Sequence, residues 1–141
     1  MRIMAIDYGD AHTGIAISDP TGLLAGFTTV INAYRPDRVT GQIALLAKEH
    51  RVERLVLGHP INMDGTRGPR SEKAQAMRQL LKETTGLPVV LWDERRTTID
   101  AHQVLMSSGK NAKKRKKVVD AVAASLILEG YLTYLKTHPE G

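Results

Sequence analysis

A chain of 141 residues has the length of one domain, and with no cysteine it excludes a disulfide framework and a thiolate zinc centre. Its 42% apolar residues supply an aliphatic core and exclude a disordered chain, while no stretch reaches the roughly 20 apolar residues of a membrane span. The formal charge of +5, from 20 Lys and Arg against 15 Asp and Glu, favours a polyanionic partner. No export-type leader is read at the start, so the expected location is the cytoplasm.

Residues 2–8 alternate apolar side chains and arrive at Asp7, the pattern of a strand with a carboxylate near its end. Gly9 and Gly14 bracket a turn, and 13–18 reads as a second strand. Ser18-Asp19-Pro20-Thr21-Gly22 is dense turn chemistry, after which 23–32 is a third strand; short connections make the three an antiparallel meander. At Pro36 the period changes, and Val39, Ile43 and Leu46 recur at helical spacing as far as Glu49. A short strand over 54–57 ends at Gly58, and the Pro- and Gly-rich stretch to Pro69 is expected to be a loop.

A helix is predicted over 70–85, with Ala74, Met77 and Leu81 on one face and Gly86 as terminator. Residues 88–92 form a fifth strand that runs out at Asp93 and Glu94. Thr97 or Thr98 caps a further helix to about Ser108. After a basic run, 118–135 makes the last helix, its apolar face carrying Val119, Val122, Ala123 and Leu126 with Asp120 at the edge. The order β-β-β-α-β-α-β-α-α implies an α/β domain over residues 1–141: a five-stranded mixed sheet, three antiparallel strands then βαβ units, flanked by helices.

The placement of acids is the informative feature. Asp7 closes strand one, Asp93 and Glu94 close strand five, and Asp120 opens the last helix. Each has an ordinary structural role open to it: Asp7 bonding the Gly9 turn, Asp93 pairing with Arg95 or Arg96, Asp120 stabilising the positive end of its helix. Together they suit a divalent ion, because a desolvated carboxylate is costly without a partner and magnesium prefers oxygen ligands. Five scattered histidines without ligand spacing argue against zinc, and His12 and His59 are expected at the surface, with Trp92 in the core.

Ile3-Met4-Ala5-Ile6-Asp7-Tyr8-Gly9 with Gly14-Ile15-Ala16, then Leu57-Gly58-His59-Pro60-Ile61-Asn62-Met63-Asp64-Gly65-Thr66, resembles the YqgF (RuvX-like) family. The match continues through Trp92-Asp93-Glu94-Arg95-Arg96-Thr97-Thr98 and Val119-Asp120-Ala121-Val122-Ala123-Ala124, so it spans nearly the whole chain. The resemblance implies an RNase H-like fold and a divalent-metal-dependent nuclease that matures the precursor of small-subunit ribosomal RNA, related to Holliday-junction resolvases. It implies Asp7, Glu94 and Asp120 as catalytic acids and ligands of Mg2+ or Mn2+, as a pair of ions, with Asp93 as the alternative ligand because neighbouring strand residues point to opposite faces.

Candidate substrate contacts are Gly9, Asn62, Asp64, Arg95, Arg96 and the run Lys113, Lys114, Arg115, Lys116 and Lys117, where cations and guanidinium forks would hold phosphates. The expected partner is nucleic acid, foremost precursor ribosomal RNA, with no membrane, and the protein is expected to be a monomer or homodimer. Three other readings stand beside this one: a resolvase of branched DNA, a non-catalytic RNA-binding factor, and a nucleotide-binding module like the actin-like ATPases. The last needs two such domains, and a Walker loop is absent.

Overall fold

A computed structural model describes residues 1–22, 25–60, 68–93 and 112–138, the stretch 112–120 by its backbone. The first three strands are β1 (Ile3–Asp7), β2 (His12–Ser18) and β3 (Ala25–Asn32), paired antiparallel in sequence order. β1 is apolar on both faces until Asp7, as a strand in mid-sheet must be. Helix α1 (Pro36–Glu49) starts on a proline, whose missing N–H is one the first turn would leave unpaired, and buries Val39, Thr40, Ile43 and Ala47. It returns the chain to β4 (Arg54–His59), which lies parallel to β1.

Helix α2 (Pro69–Thr85) ends at Gly86, whose φ of 70° is the left-handed cap conformation open to glycine at no steric cost. β5 (Val89–Asp93) then pairs parallel with β4, and α3 (Ala112–Thr137) closes the described chain. The sheet order is β3-β2-β1-β4-β5, with β1 at its centre. Among the described residues no helix is long and apolar enough to cross a membrane.

Strand alternation divides the sheet into two packed faces. Met4, Ile6, Ile15, Ile17, Leu55, Leu57 and Val89 face α1 and α2, where Ile43, Met77 and Leu81 complete an aliphatic core. Ile3, Ala5, Ala16, Val56 and Trp92 form the other face, covered by Ala124, Ile127, Leu128, Tyr131 and Leu132 of α3. Trp92 meets the rings of Tyr131 and Tyr134 edge-on, both at 5.8 Å between centroids, so it is core as expected. A Cβ on Gly130 would stand 3.2 Å from the Trp92 ring, which is how closely α3 approaches the sheet.

Three expectations change. β4 does not stop at the glycine but runs on through His59, which is buried rather than at the surface because its Nε2 lies 2.6 Å from the Ser71 hydroxyl. The last helix begins at Ala112, so the basic run belongs to it; lysine and arginine are good helix formers and need no separate loop. The buried stripe of α3 is 123/124, 127/128 and 131/132, whereas Val122 and Leu126 are only half-buried. The small alanines are on the inside because they let the helix sit close to the sheet. The expected helix over 97–108 and the first two residues of the predicted third strand lie outside the described residues.

Candidate active site at the strand ends

Asp7 is the last residue of the central strand, half-buried, at the end where β1, β4 and β5 all finish. Its parity matches Ile3 and Ala5, which places it on the face covered by α3. Directly across β2 its partner is Gly14, so Gly14 is a strand residue rather than one bracket of a turn. The parallel register on the other side pairs Ile6 with Leu57, which sets Gly58 at the next step. Asp7 is therefore flanked on the neighbouring strands by residues without side chains. A glycine inside a strand marks a place where another group approaches closely. Here that place is the floor beside a carboxylate.

Asp93 falls on the opposite face. Val89 and Leu91 belong to the aliphatic face, and Asp93 continues their parity, in register with His59. His59 bonds Ser71 near the start of α2, and Gln75 Nε2 donates to the same hydroxyl at 3.3 Å. This buried polar cluster ties the end of β4 to α2 and was not foreseen. The signal for it was a histidine between Gly58 and Pro60 and a serine in the first turn of a helix, both of which also suit exposed positions.

On α3, position 120 stands one turn before Ala124 in the row that continues to Ile127 and Tyr131. It is the ninth residue of the helix and not part of its first turn, so an acid stabilising the helix start is no longer an account of Asp120. The basic positions 113–117 occupy the two turns before it, and five consecutive residues run right around a helix. Gly9 is held by its own turn: a Cβ there would overlap the His12 carbonyl oxygen. Asn62, Asp64, Glu94, Arg95 and Arg96 lie outside the described residues, and no group of three His, Cys, Asp or Glu able to hold a metal ion occurs among those described. The donors available at this edge are carboxylate oxygens, the ligand chemistry of a hard divalent cation such as magnesium or manganese.

Comparison with known proteins identifies the family and the fold. The family described as "RuvX: Holliday junction resolvase" matches residues 1–134. A protein of Halothermothrix orenii named "Putative pre-16S rRNA nuclease" is 45% identical over 134 residues, covering 95% of this chain and 96% of its own. A Bacillus subtilis protein of the same name is 43% identical over 137 residues, covering 96% and 99%. Among solved structures, RuvC of T. thermophilus in complex with a Holliday junction substrate superimposes with a TM-score of 0.62 at 16% identity, over 97% of both chains. The Fowlpox virus resolvase bound to Holliday junction DNA does so with a TM-score of 0.53 at 11% identity, over 98% and 99%. The fold is thus that of the RuvC-like resolvases, the RNase H-like fold expected from the sequence.

Proposed function

The chain belongs to the RuvX family of Holliday junction resolvases, and from that membership we propose that it is a nuclease hydrolysing phosphodiester bonds in the precursor of 16S ribosomal RNA. The observation that carries the reading is Asp7 at the end of the central strand, between Gly14 and Gly58, on the face covered by α3. Residues 1–141 act as one domain in this reading, in the cytoplasm.

Asp7, Glu94 and Asp120 are the proposed acids, and their oxygens suit Mg2+ or Mn2+. The alternation that sets Val90 and Trp92 on the α3 face favours Glu94 over Asp93. Held by these acids, a pair of such ions would supply activation of a water nucleophile and stabilisation of the leaving oxygen. Asp7 has the central position and would be the first of the acids to hold the metal. The chain's other task is to hold a polyanion beside its own carboxylates. Lys113, Lys114, Arg115, Lys116 and Lys117 on the turns before position 120 neutralise phosphates, and Arg95 and Arg96 supply bidentate forks. Asn62 and Asp64 are the proposed substrate contacts of the segment between β4 and α2, and Gly9 completes the set by shaping the turn after Asp7.

The test is cleavage of a precursor 16S RNA fragment with and without Mn2+, alongside Asp7→Asn. Metal-dependent cleavage that disappears in the variant is the expected result; cleavage undiminished by the substitution would refute the assignment. A four-way DNA junction belongs in the same panel, because the family description favours a resolvase as the second reading.

A further inference from the structure

Tyr8 follows Asp7 in the chain but has the opposite parity, and it packs against the aliphatic face. There it lines a cavity of about 360 Å3 between the end of β1 and the helices α1 and α2. Tyr34, Pro36, Ala76, Met77 and Leu80 supply most of the remaining wall. Tyr34 is 81% exposed, a large aromatic ring that the fold does not cover. The ion pair of Lys73 and Asp10, 3.3 Å apart and exposed on both sides, completes the lining.

We infer that this cavity is a binding site for one unpaired base of the nucleic-acid strand, with Tyr34 as its stacking platform and Lys73 as the partner of the adjoining phosphate. The inference rests on the reading of the protein as a nucleic-acid-cleaving enzyme.

Three features select that occupant. A base needs flat aromatic and apolar walls, which two tyrosines, a proline and a methionine provide, and stacking on them tolerates any base because every base has a π-face. The volume lies at the low end of the roughly 300–1,000 Å3 of small-molecule sites, whereas a helix of a protein partner is itself about 10–12 Å across. The cation in the wall suits a phosphate, and its ion pair with Asp10 is exposed and screened by solvent, so a phosphate can displace Asp10 from Lys73. The location supplies the link to the proposed chemistry. Tyr8 and Asp7 are consecutive at one strand end, so a strand laid over that edge reaches both the cavity and the carboxylate.

The experiment measures binding apart from cleavage, in EDTA, by fluorescence anisotropy of a labelled single-stranded RNA decamer and of an abasic decamer with the same phosphates. Tyr34→Ala is expected to weaken binding of the base-bearing decamer about tenfold and to leave the abasic one unchanged, since stacking is sensitive to alanine substitution on that scale. Tyr34→Phe, which keeps the ring, is expected to bind as the parent does. Lys73→Ala should weaken both decamers and reduce the salt slope by about 0.7, the value for one phosphate contact on a single strand. Equal losses on the two decamers with Tyr34→Ala, or no loss on either, overturn the site. So does a change in sedimentation showing that Tyr34 instead binds a second copy. If the parent discriminates the decamers through Tyr34 yet never cleaves RNA or DNA with manganese, the nuclease reading fails and the base site stands.

Discussion

The two faces of the sheet solve different problems with neighbouring residues. Toward α1 and α2 the strands present Met4, Ile6, Ile15, Ile17, Leu55 and Leu57, large aliphatic side chains that fill the space under two helices. Toward α3 they present Ile3, Ala5, Ala16 and Val56 around one tryptophan, and the helix answers with Ala124 and Gly130 between Ile127, Leu128 and Tyr131. Large side chains stabilise; small ones permit approach. The face that gave up side-chain volume is the one on which Asp7 sits between two glycines. One side of the same five strands is thus filled with aliphatic bulk, and on the other a helix comes close to the strands beside the carboxylate.

Truncation on the aliphatic face gives the largest expected effect. Leu57 is fully buried, and Leu57→Ala should lower unfolding stability by about 2–5 kcal/mol, read from urea denaturation, while the protein that remains folded keeps its cleavage rate. A variant that loses cleavage without losing stability would break the division between the faces. For the proposed ligand the expectation reverses: Glu94→Gln should lower cleavage about a hundredfold or more at nearly unchanged stability, the scale for removing one electrostatic stabiliser of the reacting group. Asp93→Asn, on the parity of Val89 and Leu91, should stay within about threefold in cleavage. Single-turnover rates of the two variants side by side decide which neighbour is the ligand, and a larger loss for Asp93→Asn would reverse the assignment.

Much of this division was legible in the residues. The meander, the βαβ units and both mid-chain helices follow from changes of period at Pro36 and Gly86, and Asp7 stands out as the charge that ends an apolar run. What alternation alone withheld was which face each acid shares with the last helix. That depends on the register of β1 against β4 and β5, a long-range property. The inner stripe of α3 was read in part, Ala123 being buried as expected, while Val122 and Leu126 were preferred over Ala124 because they outweigh it in hydrophobicity. Burial there is decided by fit against Trp92 and Ala16, which favours the smaller residues. His59 was hidden for a related reason: Gly58-His59-Pro60 has turn composition, and the Ser71 hydroxyl that bonds the buried ring stands on a different element.

Ser71→Ala sharpens the comparison on a polar scale. It removes one hydrogen-bond partner from a buried ring and should cost about 1–3 kcal/mol in urea denaturation, less than the loss of Leu57. A neutral result would show that the His59–Ser71 bond does not help to hold the ends of β4 and α2 together.

The smallest effect concerns the residue that separates the faces at Asp7's own strand end. Burial is the main cause that raises the pKa of the Tyr8 phenol above its ordinary value; the Asp10 carboxylate adds to it and the Lys73 ammonium partly offsets it. A folded-state pKa above the unfolded one means that the fold favours the neutral phenol. Its stabilising contribution is therefore fully present below the unfolded value near pH 10 and is lost as pH rises through the folded value. Tyr8→Phe removes the titrating group, so its stability should fall less steeply than the parent's between pH 9 and the alkaline limit, as urea midpoints at a series of pH values would show. Asp10→Asn should act in the same direction but more weakly, because it takes away the second cause and leaves the first. If Tyr8→Phe instead matches the parent at every alkaline pH, the phenol is as well solvated folded as unfolded. The wall it forms beside Met77 would then have to be open to water, and the aliphatic face would end at Ile6 rather than one residue beyond Asp7.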